Sequence, residues 1–94
     1  MVLKRIAALP GDRIDLSKAG VRVNGRFVPG STLRTTDSKG RRLSHMPYGA
    51  YTIPSGEIFL LGENLAVSWD SRYYGPVQAR SLRFPVRPFL TWSR

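Results

Sequence analysis

Cysteine is absent from this chain of 94 residues, and histidine occurs once, at His45. The first absence excludes a disulfide framework and any thiolate-held metal, and leaves the redox compartment unmarked. The second denies an imidazole metal centre its ligand set, so no metal and no cofactor is expected. No apolar run approaches the roughly 18 residues of a membrane-crossing helix, and the opening MVLKR is no signal peptide. Acidic residues are scarce: six Asp and Glu stand against fifteen Lys and Arg, twelve of them arginine, for a net charge of +9. Helix signals are scarce as well, because seven prolines and nine glycines leave no capped, 3.6-periodic window longer than a turn or two. Internal repeats, low-complexity tracts and linkers are missing too, which makes residues 1–94 one small domain.

What remains is a succession of short strands and turns. Residues 2–9 form an apolar run interrupted by Lys4 and Arg5 and closed by the turn Pro10-Gly11-Asp12. Residues 13–16 read as a short strand. Residues 21–28 carry Asn24-Gly25 between alternating runs, the strongest hairpin signal in the chain. From 31 to 47 the composition turns polar and basic with a turn at 37–40, and is read as an exposed hairpin or mobile loop inserted in the domain. Residues 48–53 are a strand, 54–56 a turn, and 57–61 (EIFLL) a buried strand. Beyond Pro76, position 77 and residues 82–86 read as strand pieces that Pro85 and Pro88 make edges or irregular. The fold expected is mainly β: coiled antiparallel sheets or a small partly open barrel, with little or no helix.

The charge is unevenly spread. Residues 13–42 hold eight cations and two acids, net +6, and residues 76–94 hold four cations and no acid. A basic face follows. Nucleic acid is a disfavoured partner, since no recognised module and no platform of exposed aromatics is visible. Anionic lipid headgroups suit the same charge, and charge serving solubility alone is the plainest alternative.

Chemistry concentrates in two stretches. Residues 62–75, GENLAVSWDSRYYG, set two carboxylates (Glu63, Asp70), an amide, two hydroxyls (Ser68, Ser71), a guanidinium (Arg72) and a tyrosine pair between glycines that permit tight turns. They leave a buried strand, so they are held; an Asx/Ser-rich loop satisfying its own backbone is the competing reading. In the first strand, alternation puts Val2, Lys4, Ile6 and Ala8 on one face and Leu3, Arg5, Ala7 and Leu9 on the other. A lysine among apolar neighbours loses solvation of its charged form, so its pKa falls and a neutral amine becomes accessible as a general base. Its alternative is to snorkel from an edge strand and stay charged.

Together the two stretches resemble the type I signal peptidase family of Ser/Lys peptidases. Residues 4–12, KRIAALPGD, resemble its lysine box, and Gly62-Glu63-Asn64 with residues 68–75, SWDSRYYG, its last conserved box, in the right order. Residues 75–80, GPVQAR, and 87–92, RPFLTW, look most like the conjugative-transfer branch, whose members mature pilin precursors. The resemblance implies that Lys4 is the general base, that the Ser68 hydroxyl orients its amine, and that Asp70 pairs with Arg72 in a supporting role. Arg5 and Glu63 match a second ion pair, with Glu63 replacing the usual aspartate. Leu65, Ala66 and Val67 stand where the family carries Arg-Asp-Asn, so contacts made by those polar groups are absent here.

The nucleophile is the gap. In the family it lies N-terminal to the lysine box, after a membrane anchor, and only three residues precede Lys4. Ser44-His45-Met46-Pro47 bears a superficial likeness to that serine motif but follows the lysine, and His45 in a Lys/Arg/Ser-rich stretch is a poor centre for a Ser-His-Asp triad. The expectation is thus the C-terminal body of a serine endopeptidase acting on signal-peptide-bearing or pilin precursors, inactive by itself. Its parent protein would sit in the inner membrane with a periplasmic catalytic domain, while the chain as written is soluble. The other function class is a non-catalytic β module that uses its basic surface on lipid, a protein partner or nucleic acid.

Overall fold

A computed structural model describes residues 4–82 and the short strand at 86–87. Eight strands form in chain order: β1 (Lys4–Ala8), β2 (Arg13–Ser17), β3 (Gly20–Val23), β4 (Arg26–Phe27), β5 (Gly49–Thr52), β6 (Glu57–Gly62), β7 (Val77–Gln78) and β8 (Val86–Arg87). One helical turn, α1 (Ser71–Tyr74), and one 3-10 turn, Ala79–Ser81, complete the described residues. The strands pair in two four-stranded sheets, ordered β7-β6-β1-β8 and β4-β3-β2-β5, and no closed barrel forms among them. Every pairing is antiparallel except β1 with β8, which is parallel. The fold is therefore mainly β with almost no helix, as the proline and glycine content requires.

Local signals account for most of this order. Asn24 (φ 50°) and Gly25 (φ 85°) both adopt positive φ, the geometry of a two-residue turn matched to the twist of β3 and β4. Asp12 secures the first turn: its carboxylate accepts from the Leu9 backbone N–H at 2.8 Å and from the Asn24 amide at 3.2 Å. The apolar strand β6 is buried from Ile58 to its end because it is flanked by β1 and β7 and packed over the core.

Strict alternation in β1 does not survive. Lys4, Arg5 and Ile6 face Gly62, Leu61 and Leu60, but Ala8 faces Phe59, so one extra residue bulges from β1. Ala7 and Ala8 are consequently both buried, and the expected sharing of one face by Lys4, Ile6 and Ala8 ends at Ile6. The core is drawn from both sheets and includes Ala7, Ala8, Ile14, Val21, Phe59 and Leu61.

The polar segment 31–47 is more firmly attached than its composition implies. Its tip is an exposed hairpin, with a bridge between Thr36 and Arg42 and the Asp37 carboxylate paired to Arg41 at 2.7 Å. Its base is buried: Leu33 joins the core, and the Ser31 hydroxyl accepts from the Val21 N–H at 2.9 Å. Of the expected strand at 82–86, Leu82 follows the 3-10 turn and Val86 opens β8, while 83–85, Pro88 and the RPFLTW tail beyond Arg87 lie outside the described residues.

Candidate active site

The site is built where β1 and β6 run side by side. Lys4 stands opposite Gly62, the last residue of β6, and the chain then loops through residues 63–70 into α1. Lys4 is 7% exposed, and its Nζ donates to the Trp69 backbone carbonyl. Burial pushes the ammonium below the ordinary lysine pKa; the Asp70 carboxylate opposes that fall and the Arg72 guanidinium adds to it. Burial of this kind disfavours the charged form of the amine.

Beneath the lysine lies a fully buried ion pair. Asp70 and Arg72 are both 0% exposed, with Arg72 Nε 2.8 Å from Asp70 Oδ1 and Arg72 Nη2 2.9 Å from Oδ2. Asp70 also caps α1 by accepting from the Arg72 N–H at 3.2 Å, and takes the Gly62 N–H at 3.0 Å and the Ser68 hydroxyl at 2.5 Å. Arg72 donates further to the Leu65 carbonyl at 2.8 Å, the Ser68 Oγ at 3.0 Å and the Thr32 carbonyl at 3.3 Å. Each carboxylate oxygen and each guanidinium nitrogen thus has a partner, which is what makes a buried pair tolerable. The Ser71 hydroxyl accepts from the Leu60 N–H at 2.9 Å, stitching α1 to the middle of β6.

Gly62 matters for space rather than for backbone freedom. A methyl group there would lie 2.2 Å from Ser68 Cβ and 2.6 Å from Ser68 Oγ, so the loop closes over β6 only because that side chain is missing. Gly75, by contrast, takes φ 87° and ends α1, its N–H bonding the Ser71 carbonyl at 2.9 Å. The two glycines that bracket the motif serve different ends.

The residues singled out from sequence fall as follows. Lys4, Ser68, Asp70 and Arg72 form one connected cluster. Within it the Ser68 hydroxyl is engaged with Asp70 and Arg72, while the amine of Lys4 meets the carbonyl of the next residue, Trp69. Arg5 in β1 and Glu63, the first residue after β6, pair at 2.9 Å, partly exposed, beside the site. His45 is elsewhere: its ring stacks on Tyr48 at 4.9 Å and its Nδ1 lies 2.6 Å from the Met46 carbonyl. Among the described residues no three His, Cys, Asp or Glu side chains group as metal ligands. Sequence reasoning missed the Trp69 carbonyl and the aromatic stack above it. The Trp69 ring is 47% exposed and lies parallel to Tyr73 at 4.8 Å and tilted to Tyr74 at 6.2 Å. It also missed Arg34, whose Nη2 donates to the Ser68 carbonyl at 2.9 Å. A lone arginine in a basic stretch carries no signal that separates it from its neighbours.

Fold and site together define a two-sheet β domain presenting a buried lysine beside a saturated carboxylate–guanidinium pair. Residues 1–87 match the sequence model of the family described as signal peptidase, peptidase S26, and the chain belongs to that family. It is 38% identical over 91 residues to a plasmid transfer protein TraF of Escherichia coli, spanning 97% of this chain and 51% of that protein. It is 37% identical over 87 residues to a signal peptidase I of Bacillus caldolyticus, spanning 85% of this chain and 48% of that one. The crystal structure of a signal peptidase I from Enterococcus faecalis superposes with a TM-score of 0.51 at 27% identity, covering 83% of this chain and 75% of the other. The chain therefore spans about half the length of these two curated relatives.

Proposed function

We propose that this chain is the lysine-bearing body of a Ser/Lys endopeptidase that removes signal peptides from exported precursors, those of conjugative transfer in particular. The observation that carries the reading is the buried Lys4 amine, depressed in pKa and fixed against the Trp69 carbonyl above the Asp70–Arg72 pair. Likeness to the TraF proteins supports the conjugative branch, and likeness to signal peptidase I supports the class of substrate.

In this reading the neutral Lys4 amine takes the proton of a serine hydroxyl as the serine oxygen attacks the scissile carbonyl. The resulting ammonium returns that proton to the leaving amine, and water then hydrolyses the ester by the same route. Neither serine of the site can be that nucleophile. Ser68 donates to Asp70, and Ser71 is tied to the Leu60 N–H. The attacking serine and the groups that stabilise its oxyanion are assigned to a segment outside these 94 residues, as is any membrane anchor, and the 94 residues alone are expected to be inactive. Asp70 has the supporting role: each of its oxygens is engaged, so it holds the loop that carries the Trp69 carbonyl rather than exchanging protons with substrate.

The test is precursor cleavage by a protein carrying both this chain and its serine segment. Lys4→Ala is expected to abolish processing while leaving the protein folded, since an alanine fits a buried strand position. Processing at an unchanged rate would remove Lys4 from the chemistry.

A further inference from the structure

Among the described residues, the inserted segment 31–47 bonds the Ser68–Trp69 stretch through the side chain of Arg34. Arg34 makes two contacts that bracket Trp69. Its Nη2 donates to the Ser68 carbonyl at 2.9 Å, and its backbone N–H donates to the Tyr73 hydroxyl at 2.9 Å. Its guanidinium also lies over the Tyr73 ring, 5.4 Å from the centroid, and that ring is the one on which Trp69 stacks. The Trp69 carbonyl in turn receives the Lys4 amine. Asp70 grips the Ser68 side chain from below, but Arg34 is the side chain that holds the Ser68 carbonyl, one peptide before the acceptor of Lys4.

Two further bonds, Met46 N–H to the Arg72 carbonyl at 3.1 Å and Arg72 Nη1 to the Thr32 carbonyl at 3.3 Å, join the base of the segment to α1. They leave the 68–69 peptides themselves untouched.

From this geometry we infer that Arg34 is a positioning residue for the Lys4 amine: it fixes the Ser68–Trp69 backbone and so keeps Lys4 dry and aimed. The inference rests on the reading of Lys4 as the base and extends it to the inserted segment. Arg34 acts mechanically. The charged groups whose fields act on Lys4 are Asp70 and Arg72. If the guanidinium lets go, residues 66–69 loosen, water reaches the amine and replaces the Trp69 carbonyl as its acceptor, and the burial that lowers the pKa is relieved.

The experiment is an NMR titration of the Lys4 side chain in the 94-residue chain, followed at the ε-carbon. Four proteins are compared: wild type, Arg34→Gln, Arg34→Lys and Arg41→Gln. Glutamine is too short to reach the Ser68 carbonyl; lysine keeps the charge and a donor on a stem one atom shorter; Arg41 lies in the same segment and, among the described residues, pairs with Asp37. Expected is a wild-type midpoint below that of an exposed lysine, an upward shift in Arg34→Gln, and wild-type behaviour in the other two.

An Arg34→Gln protein with a dispersed, native spectrum and an unmoved midpoint overturns the inference, as does an equal shift in Arg41→Gln. A wild-type midpoint at the ordinary lysine value overturns the general-base reading itself, so the two failures are told apart. Should Arg34→Gln fail to fold, Tyr73→Phe removes the acceptor of the Arg34 N–H with little change of shape. A smaller upward shift supports the inference there, and no shift defeats it.

Discussion

Lys4 is an expensive residue to bury, and the sign of that cost can be read against pH. Its folded pKa lies below the ordinary lysine value because burial disfavours the ammonium. Between the lowered folded value and the ordinary unfolded value the unfolded chain binds more protons, so stability rises with pH through that window and the penalty is fully present below it. Lys4→Met keeps the length of the side chain and discards the charge. It is expected to raise the melting temperature at neutral pH and to flatten the rise in stability across the alkaline window. Thermal denaturation as a function of pH checks this, and an unchanged slope would place the Lys4 ammonium in water. Asp70 and Arg72 show the opposite economy at the same scale: two buried charges whose partners are complete, where removing one charge of such a pair typically costs about 3–5 kcal/mol.

Among the elements, β6 and the loop that leaves it do most to locate the chemistry. The loop closes because Gly62 has no side chain where Ser68 packs, and the Gly62 N–H then reaches Asp70 Oδ2 at 3.0 Å. Gly62→Ala puts the new Cβ 2.2 Å from the Ser68 Cβ in a packed region, and is expected to cost about 1–3 kcal/mol. It should also release the Trp69 carbonyl from Lys4. Urea denaturation gives the first effect, and the Lys4 titration, moved upward toward that of an exposed lysine, gives the second. A neutral Gly62→Ala would mean that the loop can shift without loss. The hairpin turn at Asn24-Gly25 carries no such demand: two adjacent residues at positive φ set its geometry.

Over the whole molecule, a net charge of +9 on 94 residues makes attraction to anionic surfaces the default, independent of any particular contact. Binding to vesicles containing phosphatidylglycerol is expected at low ionic strength and is expected to fall steeply between about 50 mM and 500 mM salt, as a screened interaction must. Sedimentation with such vesicles measures it. Absence of binding at low salt would show that the cations are dispersed too widely to act together. No helix among the described residues is long and apolar enough to cross a membrane.

Much of the protein is legible in the residues themselves, wherever the cause is local. Composition leaves little room for helix, Asn24-Gly25 and Pro10-Gly11-Asp12 set turns, the run at 57–61 makes a buried strand, and the motifs at 4–12 and 62–75 resemble the family to which the chain belongs. Each of these depends on neighbours in the chain or on the amino-acid counts. Other features depend on residues far apart in sequence, and no local pattern contains them. The bulge that ends alternation in β1 arises from its register with β6. The Trp69 carbonyl as acceptor for a lysine 65 positions away, the close approach at Gly62 and the reach of Arg34 to Ser68 across 34 positions arise from how strand, loop and insertion pack. Tertiary structure decided these because the atoms involved, a backbone carbonyl, an absent side chain and one arginine among twelve, look ordinary until packing brings them together.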